Sequence, residues 1–227
     1  MDCTPTKKGF RRLQALLWFY EGKTYQEIAA LSHFSERQIL RYMQAFCEKL
    51  QSWQKDESID LWFSDESGIE GDPRPRRQWT KIGSIRTYPY LDEHIRHNEF
   101  GALRPKDGRL FMLFNHCDSE TFQAFLDTLA EENPPMASRR ALLVMDNASW
   151  HKVKRLNWHH FEPIYLPARS PDLNPIERLW LRLKADWING WIAKTSPQLH
   201  DRLIEALQSL FAQPSLIQTQ CRPKTSL

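Results

Sequence analysis

The chain has 227 residues, 41% of them hydrophobic, which is enough for a buried core and excludes wholesale disorder. No stretch approaches the roughly 20 consecutive apolar residues of a membrane span, and the opening MDCTPTKKGFRRL lacks the apolar run of a secretory leader, so a soluble cytoplasmic protein with no membrane partner is expected. The net charge of +3 falls in the first 50 residues, with eight Lys/Arg against five Asp/Glu (8 − 5 = 3), while the rest carries 23 of each (31 − 8 and 28 − 5); a basic excess at one end suits a polyanion such as DNA.

The first 50 residues read as helices. Leu13, Leu16, Leu17 and Tyr20 have helical spacing, and Gly22 suits a C-cap. Thr24-Tyr25-Gln26-Glu27 fits a capping box that opens a short helix through Ile28, Ala29 and Ala30. Ser35-Glu36-Arg37-Gln38 is a second capping box, opening a longer helix through Ile39, Leu40, Met43 and Phe46. Two helices joined by a tight turn make a helix-turn-helix. Its small core is Ile28, Ala29, Phe34 and Ile39, and His33 stands at the turn where Gly is usual. Arg37, Gln38, Arg41 and Gln44 can face outward from the second helix, where Arg and Gln read guanine and adenine edges. The alternative for these four is a solvated polar face.

Gln51 to Ser58 is polar and reads as a linker, so the chain divides into a helix-turn-helix module at 1–52 and a second domain at 53–227. Ile59–Ser64 suits a buried strand running into Asp65-Glu66, and residues 70–90 suit a long loop or hairpin carrying Arg74, Arg76, Arg77, Lys81 and Arg86. Further strands are expected at Leu110–His116, Ala141–Met145 and Ile164–Leu166. Helices are expected at Ser119–Ala130, with Phe122, Phe125, Leu126 and Leu129 on one face, at Ile176–Ile192 and at Leu199–Phe211. Trp180, Trp187 and Trp191 suit core packing. Strands first, then alternating strand and helix, indicate an α/β domain with a mixed sheet. Cys3, Cys47, Cys117 and Cys221 lie far apart with no CxxC pair, which excludes a zinc knuckle and a disulfide framework.

Three acids stand where chemistry is commonly placed: Asp65 and Asp146 at strand ends and Glu177 in the first turn of a helix. Hard carboxylate oxygens of this kind bind Mg²⁺ or Mn²⁺, and a pair of such ions serves phosphodiester chemistry. Each acid also has a structural explanation. Asp favours turns, and Asn174-Pro175-Ile176-Glu177 is a good helix start without any catalysis.

The strings LWFSDESGI, LLVMDNASWH and LPARSPDLNPIERLWLRLK resemble the three catalytic blocks of DDE transposases of the mariner superfamily, in its bacterial insertion-sequence branch, and RRQWTKIGS resembles the Trp-containing segment after the first acid. The resemblance spans nearly all of residues 59–190. It implies a ribonuclease H-like fold, with Asp65, Asp146 and Glu177 as catalytic residues and ligands of two Mg²⁺ or Mn²⁺ ions. It implies cleavage of double-stranded DNA at the ends of a mobile element and transfer of the freed 3′-hydroxyl to target DNA, by a homodimer in the bacterial cytoplasm. Glu66, Asn147 and His151 fall in the same blocks and are expected behind the ligands, Glu66 on the strand face opposite Asp65. Thirty residues separate Asp146 from Glu177 (177 − 146 = 31), and one helix-turn-helix precedes them where the family usually carries two. These departures keep open a second reading, a non-catalytic DNA-binding remnant that occupies element ends as a repressor.

Overall fold

The computed structural model describes residues 25–71, 81–83, 95–114, 118–166 and 173–221. The expected helix at 10–20, Cys3, Cys117 and the Arg-rich stretch other than Lys81 lie outside them.

Helices α1 (Tyr25–Ser32) and α2 (Glu36–Lys55) follow one another with a short turn at 33–35 between them, as the expected helix-turn-helix requires. Ser35 caps α2 through the expected box: its hydroxyl accepts from Gln38 N, and the Gln38 side chain accepts from Ser35 N at 2.9 Å. His33 turns the chain with φ 57°. Ile28 and Phe34 are buried between the helices. The expected linker at 51–58 is mostly helix instead. The polar residues there form the outer face of α2, while Leu50 and Trp53 pack against Ile59, Leu61 and Phe63 of the next strand.

Five strands follow: β1 (Ile59–Glu70), β2 (Arg96–Arg104), β3 (Arg109–Phe114), β4 (Arg140–Met145) and β5 (Phe161–Tyr165). They form one mixed sheet in the order β3-β2-β1-β4-β5. The β1–β2 and β2–β3 pairs are antiparallel, and the β1–β4 and β4–β5 pairs are parallel. The buried parallel strands are largely apolar because both sheet faces are covered. On one face α3 (Ser119–Glu132) lays Phe122, Phe125, Leu126 and Leu129 against Trp62, Phe100 and Leu143. On the other, α4 (Pro175–Leu183), a π-helical turn (Lys184–Ile188), α5 (Ser196–Phe211) and α6 (Pro214–Gln220) build a second core around Trp180. Trp187 and Trp191 pack against that core, with the Arg202 guanidinium over both rings.

Several expected elements need correction. Strand β2 has no counterpart among them: its first half, Arg-His-Asn-Glu, is polar, and its pairing with β1 reaches back across some 30 residues. The β1 strand does not stop at Ser64 but runs to Glu70, because β2 pairs with it over the whole extension. The last strand is Phe161–Tyr165, earlier than the expected 164–166. The helix expected to reach Ile192 leaves α-geometry at Lys184 and ends at Ile188, two residues before Gly190, whose φ is 78°. Among the described residues, no helix is long and apolar enough to cross a membrane.

Candidate active site

Asp65 lies inside β1, paired with Gly101 of β2, and is buried. On its other side the parallel ladder with β4 ends at Phe63↔Val144. Two residues beyond that pair stand Asp65 on one chain and Asp146 on the other, so both acids project where the sheet opens. Alternation along β1 puts Asp65 on the α4 face and Glu66 on the α3 face.

Gly101 explains how α4 reaches this place. A Cβ there would lie 2.8 Å from Trp180 Cζ2 and 2.9 Å from Ile176 Cδ1. The bare glycine therefore lets α4 settle directly on the strand opposite Asp65, with Glu177 next to Ile176. Asn174 occupies the N-cap position of α4, and Pro175 its first turn, as the sequence suggests. The Asn174 side chain does not cap the helix, however. Its Nδ2 donates to the Ser64 carbonyl at 2.9 Å, which ties the start of α4 to β1 one residue before Asp65.

Asp146 follows β4. Its Oδ1 accepts from Ala148 N at 3.0 Å, an Asx turn. Asn147 Nδ2 donates to the Leu166 carbonyl at 2.6 Å, anchoring the turn to the end of β5. His151, in the 3₁₀ turn Ser149–Lys152, is enclosed. Its Nε2 is 2.7 Å from Glu66 Oε1, and its Nδ1 is 3.1 Å from Asp146 Oδ1 and 3.3 Å from the Asp146 carbonyl. Both ring nitrogens thus face oxygen atoms, and a doubly protonated ring would donate to both sides.

The electrostatics agree with this geometry. Burial opposes charge on His151, but Asp146 and Glu66 outweigh it and lift the imidazolium to about 9. Burial also works to raise Asp146, yet His151, the Ala148 N–H and the charge of Lys152 hold its carboxyl below the ordinary value. Asp65 behaves in the opposite way. Burial, then the carboxylates of Glu177, Glu66 and Asp146, push it up to about 8. Burial and Asp146 raise Glu177 too, against the pull of Lys184. The three acids named from the sequence therefore share one electrostatic neighbourhood.

Among the described residues, one group of side chains brings three ligand atoms within 4.8 Å of each other: Glu66, Asp146 and His151. As they stand, these atoms are paired with one another through the imidazole. Asp65, Asp146 and Glu177 are spread more widely than that. As a donor set, the trio is all hard carboxylate oxygen, and the charges that act on Asp65 are all negative. Such an arrangement suits a divalent cation of the Mg²⁺ or Mn²⁺ type.

On α2, Arg37, Arg41 and Gln44 belong to the polar face; Gln44 donates to Glu48 at 3.3 Å, and the Gln38 side-chain oxygen is committed to the Ser35 cap. The residues that sequence reasoning passed over are Gly101 and Glu99 of β2. Both went unseen with their strand, although Asp107-Gly108 ahead of β3 is a hairpin signal and Gly108 takes φ 69°.

The family model for the DDE superfamily endonucleases matches residues 60–200, which include Asp65, Asp146 and Glu177. The chain belongs to this family. An uncharacterized protein of Sinorhizobium fredii, y4pE/y4sA, is 30% identical to it over 117 residues, which is 51% of this chain and 85% of that protein. Among solved structures, the Mos1 strand transfer complex aligns with 97% of this chain and 76% of its own at a TM-score of 0.57 and 17% identity. The Mos1 mariner paired end complex with Mn aligns over 97% of this chain and 80% of its own, with a TM-score of 0.56 and 16% identity. The paired end complex with Mg gives a TM-score of 0.57 at 16% identity, over 97% and 79%. The chain thus has the ribonuclease H-like fold of the Mos1 transposase.

Proposed function

We propose that this DDE endonuclease is a DNA transposase, which cleaves double-stranded DNA at the ends of a mobile element and joins the freed 3′-hydroxyl to target DNA. What supports the reading is the electrostatic coupling of the three acids: burial, then the carboxylates of Glu177, Glu66 and Asp146, push Asp65 up to about 8. The Mos1 complexes named for Mn and for Mg support a divalent-metal requirement. Two Mg²⁺ or Mn²⁺ ions, when bound, would activate the attacking oxygen and stabilise the leaving one.

The protein's own contribution is placement. Asp65 is fixed by the β1–β2 ladder, and Asp146 Oδ1 is held by Ala148 and His151, which leaves its Oδ2 for the site. Glu177 is carried by a helix seated on Gly101. The carboxylates act as ligands and not as nucleophiles, so no covalent enzyme intermediate forms. Glu66, Asn147 and His151 stand behind them. The module proposed to grip element ends does not stop at the expected residue 52, because α2 runs unbroken to Lys55; Arg37, Arg41, Gln44 and the amide edge of Gln38 would face DNA from it, and the catalytic domain starts with β1. Bringing two ends together calls for a homodimer, working in the bacterial cytoplasm.

Supercoiled plasmid incubated with the protein and Mn²⁺ or Mg²⁺ tests this. Nicking or linearisation by the wild type, lost in Asp146→Asn and Glu177→Gln, is expected. DNA binding with no cleavage would replace the proposal by the end-binding repressor, and cleavage surviving in both variants would remove the acidic trio.

A further inference from the structure

We propose that His151 is a positioning residue which, clamped between Glu66 and Asp146, sets the spacing of Asp65 and Asp146 and so makes the site competent for Mg²⁺. This deepens the transposase reading and rests on it.

The backbone ladder between β1 and β4 stops at Phe63↔Val144. Past that pair the two chains are no longer held in register by the ladder, yet Asp65 and Asp146 both lie there. The side-chain link takes over. His151 Nε2 reaches Glu66 Oε1 at 2.7 Å, and Glu66 is the immediate neighbour of Asp65. Nδ1 faces Asp146 at 3.1 Å. One ring therefore spans from β1 to the segment after β4.

The ring itself is fixed from several sides. Phe122 of α3 packs on it with centroids 4.4 Å apart, and Trp150 meets it edge-on at 5.9 Å. Trp150 Nε1 donates to the same Glu66 oxygen at 3.4 Å. The Tyr165 hydroxyl donates to the His151 carbonyl at 2.7 Å. A ring held this way cannot follow a shift of either strand, so it acts as a strut. Its two nitrogens are already engaged with Glu66 and Asp146.

Magnesium shows such a strut most clearly. Mg²⁺ demands near-ideal octahedral geometry at about 2.0–2.1 Å and gives up water reluctantly. The larger Mn²⁺ accepts distorted carboxylate sets more readily. Loosening the acid spacing therefore penalises Mg²⁺ more than Mn²⁺. A residue that merely supported the fold would lower both alike.

The test compares His151→Phe, which keeps the ring packing on Phe122 but removes both N–H donors, with Glu66→Ala and Glu66→Gln. Two quantities are read for each: plasmid cleavage in Mg²⁺ and in Mn²⁺, and the rise in Tm of the DNA-free protein on adding either ion. Outer partners of metal ligands are typically worth 10- to 100-fold, so the Mg²⁺-to-Mn²⁺ activity ratio should fall about tenfold or more in His151→Phe and Glu66→Ala. Glu66→Gln retains an acceptor for Nε2–H and should recover most of the Mg²⁺-supported cleavage lost in Glu66→Ala. The Mg²⁺-induced Tm rise should shrink in the same order, with the Mn²⁺-induced rise retained. An unchanged ratio, or equal loss with both ions, in folded Glu66→Ala overturns the strut, and the same result in folded His151→Phe overturns it independently. A wild type that shows neither cleavage nor any metal-induced Tm rise would instead defeat the transposase reading, and the strut with it.

Discussion

Gly101→Ala is the most direct probe of how Glu177 is held. The new methyl would sit 2.8 Å from Trp180 Cζ2, 2.9 Å from Ile176 Cδ1 and 3.1 Å from Trp180 Cη2. Comfortable carbon contacts are about 3.5–4.0 Å, so each contact is short by very roughly an ångström. Ile176 and Trp180 are both buried and have nowhere to swing, so α4 must lift as a body. Overpacking of this kind costs about 1–3 kcal/mol. For a chain of this size, each kcal/mol lowers Tm by roughly 2–4 °C. The functional loss should be larger than the stability loss implies, because a displacement of about 1 Å at a reacting group can cost ~100-fold in rate. Melting curves and plasmid cleavage of Gly101→Ala measure the two effects separately. Trp180→Phe removes two of the three clashing atoms and Ile176→Val the third, so adding both changes should regain cleavage relative to Gly101→Ala. A single variant with wild-type melting and wild-type cleavage would refute the seating of α4 on this glycine.

Glu99 gives a pH signature. It is fully buried on β2, neither carboxylate oxygen has a hydrogen-bond partner, and burial raises it to about 8 against the pull of Lys184. Between 4.5 and about 8 the unfolded chain gives up this proton and the folded chain keeps it, so stability should fall as pH rises through that window and then level off. Glu99→Gln should escape the loss, with an advantage over wild type that grows to at most about 5 kcal/mol by pH 8; parallel pH–stability curves would remove Glu99 as the source. Mn²⁺ should stabilise the wild type by about 2.7 kcal/mol at 100-fold excess over its dissociation constant and do nothing for Asp146→Asn, as thermal melts will report. Asn174→Ala strips the Ser64 carbonyl of its donor, a loss of about 1–3 kcal/mol in denaturant unfolding; a loss confined to a few tenths would mean that the bond does not tie α4 to β1.

The parts legible in the sequence are those governed by neighbours in the chain. The Ser35 capping box, the apolar face of α3 and the buried run of β4 each follow from spacing within a few residues. The parts that are not legible depend on distant partners. Strand β2 exists because β1 and β3 flank it, and its Arg-His-Asn-Glu half carries no alternating pattern of its own. The extension of β1 through Asp65 is likewise written in β2. Polarity at 51–55 suggests a linker because Leu50 and Trp53 reveal their role only once β1 lies beneath them. His151 is visible as a residue near the acids, but the bridge to Glu66 spans 85 positions and belongs to the fold.

The same distant contacts separate function from architecture at the three acids. A turn explains Asp146 in part, since its Oδ1 accepts from Ala148 N. No turn explains Asp65, which lies inside a strand, buried, with the carboxylates of three other residues acting on it. A purely structural residue at that position would be apolar, like Phe63 and Ile69 on the same face. Helix capping does not explain Glu177 either. An acid at the third helical position ordinarily gains from the helix dipole and from a reciprocal cap. Here the Asn174 side chain is turned to Ser64, and burial with Asp146 raises Glu177 instead of lowering it. Two of the three acids therefore cost the free protein stability with no structural return. A cation bound between them, as proposed, would offset that cost, so metal-dependent stabilisation and metal-dependent cleavage should be lost together in Asp146→Asn.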